Sequence, residues 1–459
     1  MNIKRLFAPV DMTQGKPSTQ IILFAIPMLI GNIAQQLYST VDSIVVGQYV
    51  GDNALAAVGS SSPIYNLLLV LFIGISTGAG IMVSQYFGAK DRENLSSTIG
   101  NCITLTAIVT ILLMIIALFT ISPLLVLLNT PASIIEWCYD YLFILLMGIG
   151  GTCYYNILCG VLRGLGDSVS ALVYLLIATV INIVLDLYFV VSLNMGVAGV
   201  ALATIIAQAV SALLCFMKLL KMKHLFDLEK RHYHLQKKHS LEIIKLGIPS
   251  GLTQGIFSMA MILVQSLTNS FGEMVIAANV IVMRVDGFAM MPNFSFGNAM
   301  TTYTGQNIGA KEYQRVEEGA KEGCKIAMIC ASIITAVILL FGDILMYAFT
   351  DTAQLVSLSM NIMRILAVGY IAVSITQSLS GVMRGAGDTM SPMWVSIITT
   401  VIVRVPLAYL LAYLTRSPSL PNGSHYSMFI SLLVSWLLGA LITFIIYKKK
   451  RWMKTSIKS

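Results

Sequence analysis

The chain is built of long apolar runs separated by short polar punctuation, without the strict alternation that a membrane-barrel strand requires. Twelve such runs stand out, at roughly 21–50, 54–87, 95–121, 134–160, 169–192, 196–220, 243–271, 275–307, 316–341, 355–382, 390–415 and 426–447, each long enough to cross a bilayer core as a helix. Lipid offers no hydrogen-bond partner to a bare backbone, so runs of this length must close their hydrogen bonds internally. The pattern therefore predicts an all-α polytopic membrane protein with twelve transmembrane helices. One long polar stretch interrupts the series and separates six runs from six. The expected organisation is an N-terminal lobe over 1–221 (spans 1–6), a cytoplasmic linker over 222–242, and a C-terminal lobe over 243–459 (spans 7–12) that ends in a basic tail.

The two halves repeat one another. Arg163-Gly164-Leu165-Gly166-Asp167 returns as Arg384-Gly385-Ala386-Gly387-Asp388, Gly88-Ala89-Lys90 returns as Gly309-Ala310-Lys311, and Gly51 returns as Gly272. An even number of spans in each half starts both from the same side, so the repeat is parallel, a common construction among secondary transporters. It predicts two lobes related by an axis along the membrane normal, with a cleft between them.

Composition and charge sharpen the picture. Hydrophobic residues make up 57% of the chain and charged ones only 11%, which excludes a soluble protein of this size. Of the 29 Lys and Arg, all but Arg284, Arg364, Arg404 and Arg416 lie at the termini or near the loops that follow even-numbered spans. The positive-inside rule then puts both termini in the cytoplasm of an inner (plasma) membrane protein. The net charge of +8 is accounted for by this topology and by anionic headgroups rather than by nucleic acid. Seven cysteines show neither metal-ligand spacing nor a paired framework. The polar stretch Met1–Lys16 and the length of the first apolar run argue against a cleavable signal peptide.

Function is expected where the halves differ. The repeat offset places Leu263 opposite Asp42, Val403 opposite Asn182 and Leu407 opposite Asp186, so this set of intramembrane acids belongs to the N-terminal half alone. An ionised acid inside the bilayer costs at least ~2.5 kcal/mol unless it is compensated. Counted along their spans at ~1.5 Å per residue, Asp42, Asp186 and Thr204 all lie some 10–13 Å below the outer surface. Asn182 is one turn from Asp186, and Gln35 and Asn156 fall at the edge of the same region. Two neighbouring carboxylates in a low dielectric cannot both stay ionised cheaply. The cluster is expected to hold a proton or a small cation, with Na+ the sole candidate metal.

In the C-terminal half, Arg284 and Asp286 sit in span 8 and either pair with each other or with neighbours, or Arg284 faces the N-terminal acids as a charge gate. Met290 and Met291 on the same span suit a cleft that accepts varied apolar partners. Pro27 and Pro63, each lacking a backbone donor, are expected bending points.

At this point the residues resemble a known family. The run Gln35-Gln36-Leu37-Tyr38-Ser39-Thr40-Val41-Asp42 leading to Val46-Gly47, the paired Arg-Gly-x-Gly-Asp turns after spans 4 and 10, and Asn182 with Asp186 are similar to the multidrug and toxic compound extrusion (MATE) family over nearly the whole chain. The resemblance implies an antiporter that exports drug-like, often cationic organic compounds in exchange for H+ or Na+ by alternating access. In the branch with the cation site in the N-terminal lobe, that site would be Asp42, Asn182, Asp186 and Thr204. In the branch that uses acids in spans 7 and 10, the matching positions here are Phe257 and Val373, which speaks against a second site in the C-terminal lobe.

A lipid-linked precursor flippase of the same superfamily is the alternative, but it would need several basic residues converging in the cleft. A membrane scaffold or receptor would need no buried acids. Neither a nucleotide-binding Gly-x-x-x-x-Gly-Lys-Ser/Thr loop nor a catalytic triad is present, so neither an ATP-driven pump nor an enzyme is expected. No cofactor is expected beyond the coupling ion. The expected partners are small organic substrates and membrane lipid, with no nucleic acid, and the expected state is a monomer.

Overall fold

The computed structural model describes residues 9–127, 130–418 and 420–454; the first eight residues of the polar stretch Met1–Lys16 and the last five of the basic tail fall outside them. Among the described residues the fold is helical throughout, apart from one isolated β-bridge between Ser417 and Leu420. The helices are α1 (Pro17–Tyr49), α2 (Asp52–Gly88), α3 (Arg92–Leu127), α4 (Ile135–Met147), α5 (Ile149–Gly164), α6 (Ser168–Leu187), α7 (Gly196–Lys221), α8 (Lys237–Ser270), α9 (Glu273–Gly309), α10 (Tyr313–Tyr347), α11 (Ala353–Ala367), α12 (Gly369–Gly385), α13 (Met390–Ser396), α14 (Val405–Leu414) and α15 (Tyr426–Lys448). Two π-helical stretches, Tyr188–Ser192 and Ile397–Arg404, continue α6 and join α13 to α14.

Among the described residues, ten helices or helix runs are long and apolar enough to cross a membrane, or twelve with each of two bent pairs counted as one span. The bends are a departure from the uninterrupted runs that the sequence suggests for spans 4 and 10. The α4–α5 pair bends by 50° at Gly148 and the α11–α12 pair by 44° before Gly369. These two glycines are the same position in the repeat, and both are closely covered. A Cβ on Gly148 would meet the Ile205 side chain at 2.6 Å, and one on Gly369 would meet Trp436 at 2.4 Å. Each break is thus held by a large side chain from a neighbouring helix packed against a bare backbone.

The repeated Arg-Gly-x-Gly-Asp motif forms a helix-to-helix turn. Gly166 and Gly387 take φ of 87° and 96°, which side chains rarely adopt. The following acids cap the next helix in matching ways. Asp167 accepts from Ser170 N at 2.9 Å and Ser170 Oγ at 2.7 Å, and Asp388 accepts from Ser391 N at 3.0 Å and Ser391 Oγ at 2.6 Å. Each carboxylate satisfies orphan donors at a helix start and favours its positive dipole end.

The chain divides into two compact units. One comprises Met1–Asp11 with Ile26–Gly251, and the other Met12–Ala25 with Leu252–Ser459. In the second unit, Met12 is fully buried; its N–H donates to Gln306 Oε1 at 2.8 Å and its carbonyl accepts from Asn307 Nδ2 at 3.2 Å and Arg315 Nη2 at 3.3 Å.

In the first unit, the polar segment 222–242 is docked on the start of α3. Arg92 grips Asp227 through two hydrogen bonds of 2.7 and 2.9 Å and reaches the carbonyls of Lys223 and His224 at 2.8 and 2.7 Å. Asn101 Oδ1 accepts from Gln236 N at 2.7 Å and Ser240 Oγ at 3.1 Å. The Arg92 guanidinium holds the Asp227 carboxyl below its ordinary value. A group whose folded value is lowered contributes at neutral pH and is lost as the pH falls through that value. The clasp therefore persists until the pH drops below the usual carboxylate range. Arg92→Ala is expected to accelerate limited proteolysis within 222–236 severalfold at pH 7, and an unchanged cleavage rate would assign the docking to Asn101 instead.

Candidate functional site

In the first unit, three helices bring polar groups to one place in an apolar setting. Helix α1 carries Tyr38 and Asp42 one turn apart, α6 carries Asn182 and Asp186 one turn apart, and α7 supplies Thr204. Asn182 and Asp186 are fully buried, and Asp42 and Thr204 are half-buried. With its amide nitrogen turned toward the acids, the orientation its neighbours favour, Asn182 donates to Asp42 Oδ1 at 2.8 Å and to Asp186 Oδ2 at 3.2 Å. One amide thus bridges two carboxyl groups, which lie within hydrogen-bonding reach of each other.

Tyr38 and Tyr141 complete the surroundings. The Tyr38 hydroxyl donates to Thr204 Oγ1 at 3.2 Å, so Thr204 joins the cluster through this tyrosine. Tyr141, on α4, lies close enough to feel both acids and belongs to an apolar group with Val45, Val46, Val190, Val197 and Val200. Neither tyrosine was singled out from the sequence. Tyr38 was within reach of such reasoning, since it precedes Asp42 by one helical turn, whereas Tyr141 reaches the site from a distant helix with nothing in its local pattern to mark it.

One group is left open. Asp186 Oδ1 is buried and has no hydrogen-bond partner among the described residues. A buried acceptor without a donor is costly, and a proton shared with the paired carboxyl would supply one. No group of three or more His, Cys, Asp or Glu suited to a metal ion occurs among the described residues. A bound Na+ would therefore rely on the oxygens of Asp42, Asp186, Asn182 and Thr204.

The remaining sequence candidates separate. Gln35 is exposed on α1, and the Asn156 side chain turns back on its own helix, donating to Thr152 O at 2.8 Å. In the second unit, a cavity of about 390 Å3 is lined by Asp286 and Met290 but not by Arg284 or Met291. Arg284 is exposed, and the charged neighbour of Asp286 is Arg404, 118 positions later, rather than Arg284. A pairing within span 8 fails because residues two apart on a helix point in different directions. Met291 is buried in the helix packing. Phe257 and Val373 both line this cavity, so apolar side chains stand where the resemblance placed acids in another branch.

The MatE family model matches twice, over residues 27–188 and 249–410, once in each half. The chain belongs to the MatE family. Among its relatives, the probable multidrug resistance protein YoeA of Bacillus subtilis is 29% identical over 416 residues, covering 89% of this chain and 90% of that protein. The probable multidrug resistance protein YpnP of the same organism is 29% identical over 443 residues, covering 96% and 97%. A solved outward-facing structure of a multidrug resistance MATE family transporter of the MOP superfamily superposes with a TM-score of 0.89 at 25% identity, covering 96% of this chain and 97% of that one. The double match makes this MatE chain a multi-pass membrane protein whose halves share one design.

In this MatE protein the Tyr38–Thr204 bond is the tie between α1 and α7 at the cluster. Tyr38→Phe and Thr204→Ala should each lower thermal stability by about 0.5–1.5 kcal/mol equivalent, the net value of one hydrogen bond. The double variant should lose no more than the larger single loss, as a double-mutant cycle on detergent-purified protein reads directly. Additive losses would show that the two groups act independently.

Proposed function

We propose that this MatE protein is a proton-coupled antiporter that exports drug-like, often cationic compounds, with Asp42 and Asp186 as the proton-carrying pair. The observation that carries the reading is the Asn182 amide bridging two carboxyls, one of whose buried oxygens lacks a donor. A proton completes this arrangement with no rearrangement of the amide. Sodium would be coordinated best with the oxygen of Asn182, rather than its nitrogen, toward the acids. The names of the relatives, probable multidrug resistance proteins, support the substrate class.

In this reading the protein lies in the inner (plasma) membrane with both termini cytoplasmic, and the site opens alternately to the two sides. While it faces inward, the acids carry negative charge and a substrate is taken up. When it faces outward, a proton enters, neutralises the pair and relaxes the hold of Asn182 on Asp42, which lets α1 shift and the substrate leave. A potential of 100 mV supplies ~2.3 kcal/mol for each charge moved, before any concentration gradient is added. Tyr38 and Thr204 position α1 so that Asp42 stays in reach of Asn182.

Ethidium efflux from proteoliposomes tests this with proton and sodium gradients imposed separately. Wild type should export under the proton gradient alone, and Asp42→Asn should lose at least 90% of that rate while remaining monodisperse after purification. Export driven by sodium alone would overturn the choice of ion. Asp42→Asn export equal to wild type would remove the acid pair from the mechanism.

A further inference from the structure

The cavity of the second unit contains chemistry that proton coupling leaves unused. Asp286, on α9, and Arg404, at the end of the π-helical stretch, are its only charged lining residues. The two are close enough to feel each other's charge. They do not satisfy one another: Asp286 Oδ1 and Arg404 Nε are both buried and without a hydrogen-bond partner among the described residues. Behind the acid, the Tyr370 hydroxyl lies within reach of Asp286 but makes no hydrogen bond of good geometry among the described residues. A buried acceptor and a buried cationic donor, both on residues lining one space of about 390 Å3, form an incomplete polar network, which is the costliest way to bury such groups.

The rest of the wall says what would complete it. Phe257, Phe294 and Trp436 present aromatic surface, and Met261, Met283 and Met290 present sulfurs that adapt to varied apolar shapes. Water alone would satisfy the charges but leave this surface wetted. A simple cation would pair with Asp286 and be opposed by Arg404, and a simple anion would meet the reverse. A volume in this range accommodates a drug-sized ligand.

We propose that this cavity is a binding site for zwitterionic aromatic amphiphiles, with an ammonium group on Asp286, a carboxylate on Arg404 and the ring system against Phe257, Phe294 and Trp436. Opposite charges in the wall select for opposite charges in the ligand, and each single-charge analogue leaves one buried group uncompensated. The inference gives a substrate class to the exporter proposed above and rests on that reading for its physiological meaning.

Equilibrium binding tests the site with no gradient and no transport, so its failure is distinguishable from a failure of the coupling mechanism. The purified full chain in lipid nanodiscs is titrated with Nε-dansyl-lysine, a zwitterion. Its methyl ester, which keeps only the cation, and its Nα-acetyl derivative, which keeps only the anion, are titrated in parallel. The zwitterion should bind at least about tenfold tighter than either analogue, as expected for one additional charge-assisted hydrogen bond. Asp286→Asn should erase its advantage over the acetyl derivative, and Arg404→Gln its advantage over the ester. Trp436→Phe should remove most of the energy transfer from tryptophan to bound dansyl. Equal affinities for the three probes on wild type would overturn the proposal without reliance on any variant. So would a zwitterion preference that survives both charge substitutions.

Discussion

A carboxylate buried among apolar helices needs donors, and the first unit meets that need with a single amide. Asn182 reaches both Asp42 and Asp186, so one side chain fixes the distance between two helices as well as the charge between two acids. Neither α1 nor α6 can move relative to the other without changing how these groups are satisfied. In the proposed mechanism this makes protonation and helix position one variable. The valine-rich packing around Tyr141 keeps the dielectric low, which makes the linkage strong.

The two halves share a scaffold and diverge in chemistry. The glycine turns with positive φ, the aspartate caps at Asp167 and Asp388 and the glycine breaks at Gly148 and Gly369 recur at one offset. All of these set backbone direction, and none touches the acid cluster. Where the first unit has Asp42 and Asp186, the second has Leu263 and Leu407 in the repeat, and its own charges, Asp286 and Arg404, stand at positions the first does not use. Duplication supplied two frames, and their interiors have since been fitted out differently.

Much of this was legible in the sequence because it depends on local pattern. Span number follows from apolar length, and the turns follow from Gly and Asp at fixed places. The association of Asp42, Asn182 and Asp186 follows from depth and helical spacing. What escaped depends on contacts between distant segments. The breaks at Gly148 and Gly369 leave hydropathy unchanged and lie where Ile205 and Trp436 pack against bare backbone. Arg404 finds its charged neighbour on α9, 118 positions earlier in the chain, and the option of an Arg284–Asp286 pair rested only on closeness in sequence. The docking of 222–242 on α3 rests on Arg92 and Asn101, residues that in sequence look like an ordinary polar helix start.

The membership of the first helix in each half has a bearing on how the protein is made. Residues Met12–Ala25 precede the spans of the first unit in the chain yet belong to the second unit, whose Gln306, Asn307 and Arg315 hold Met12. The start of α8, up to Gly251, follows the polar segment yet completes the first. Synthesis therefore cannot finish one half before beginning the other. The first unit waits for residues beyond its own six spans, while a short N-terminal piece stays unsatisfied until the chain has passed residue 315. Each unit thus takes residues from both halves of the repeat, so neither half of the duplicated sequence is a complete unit by itself.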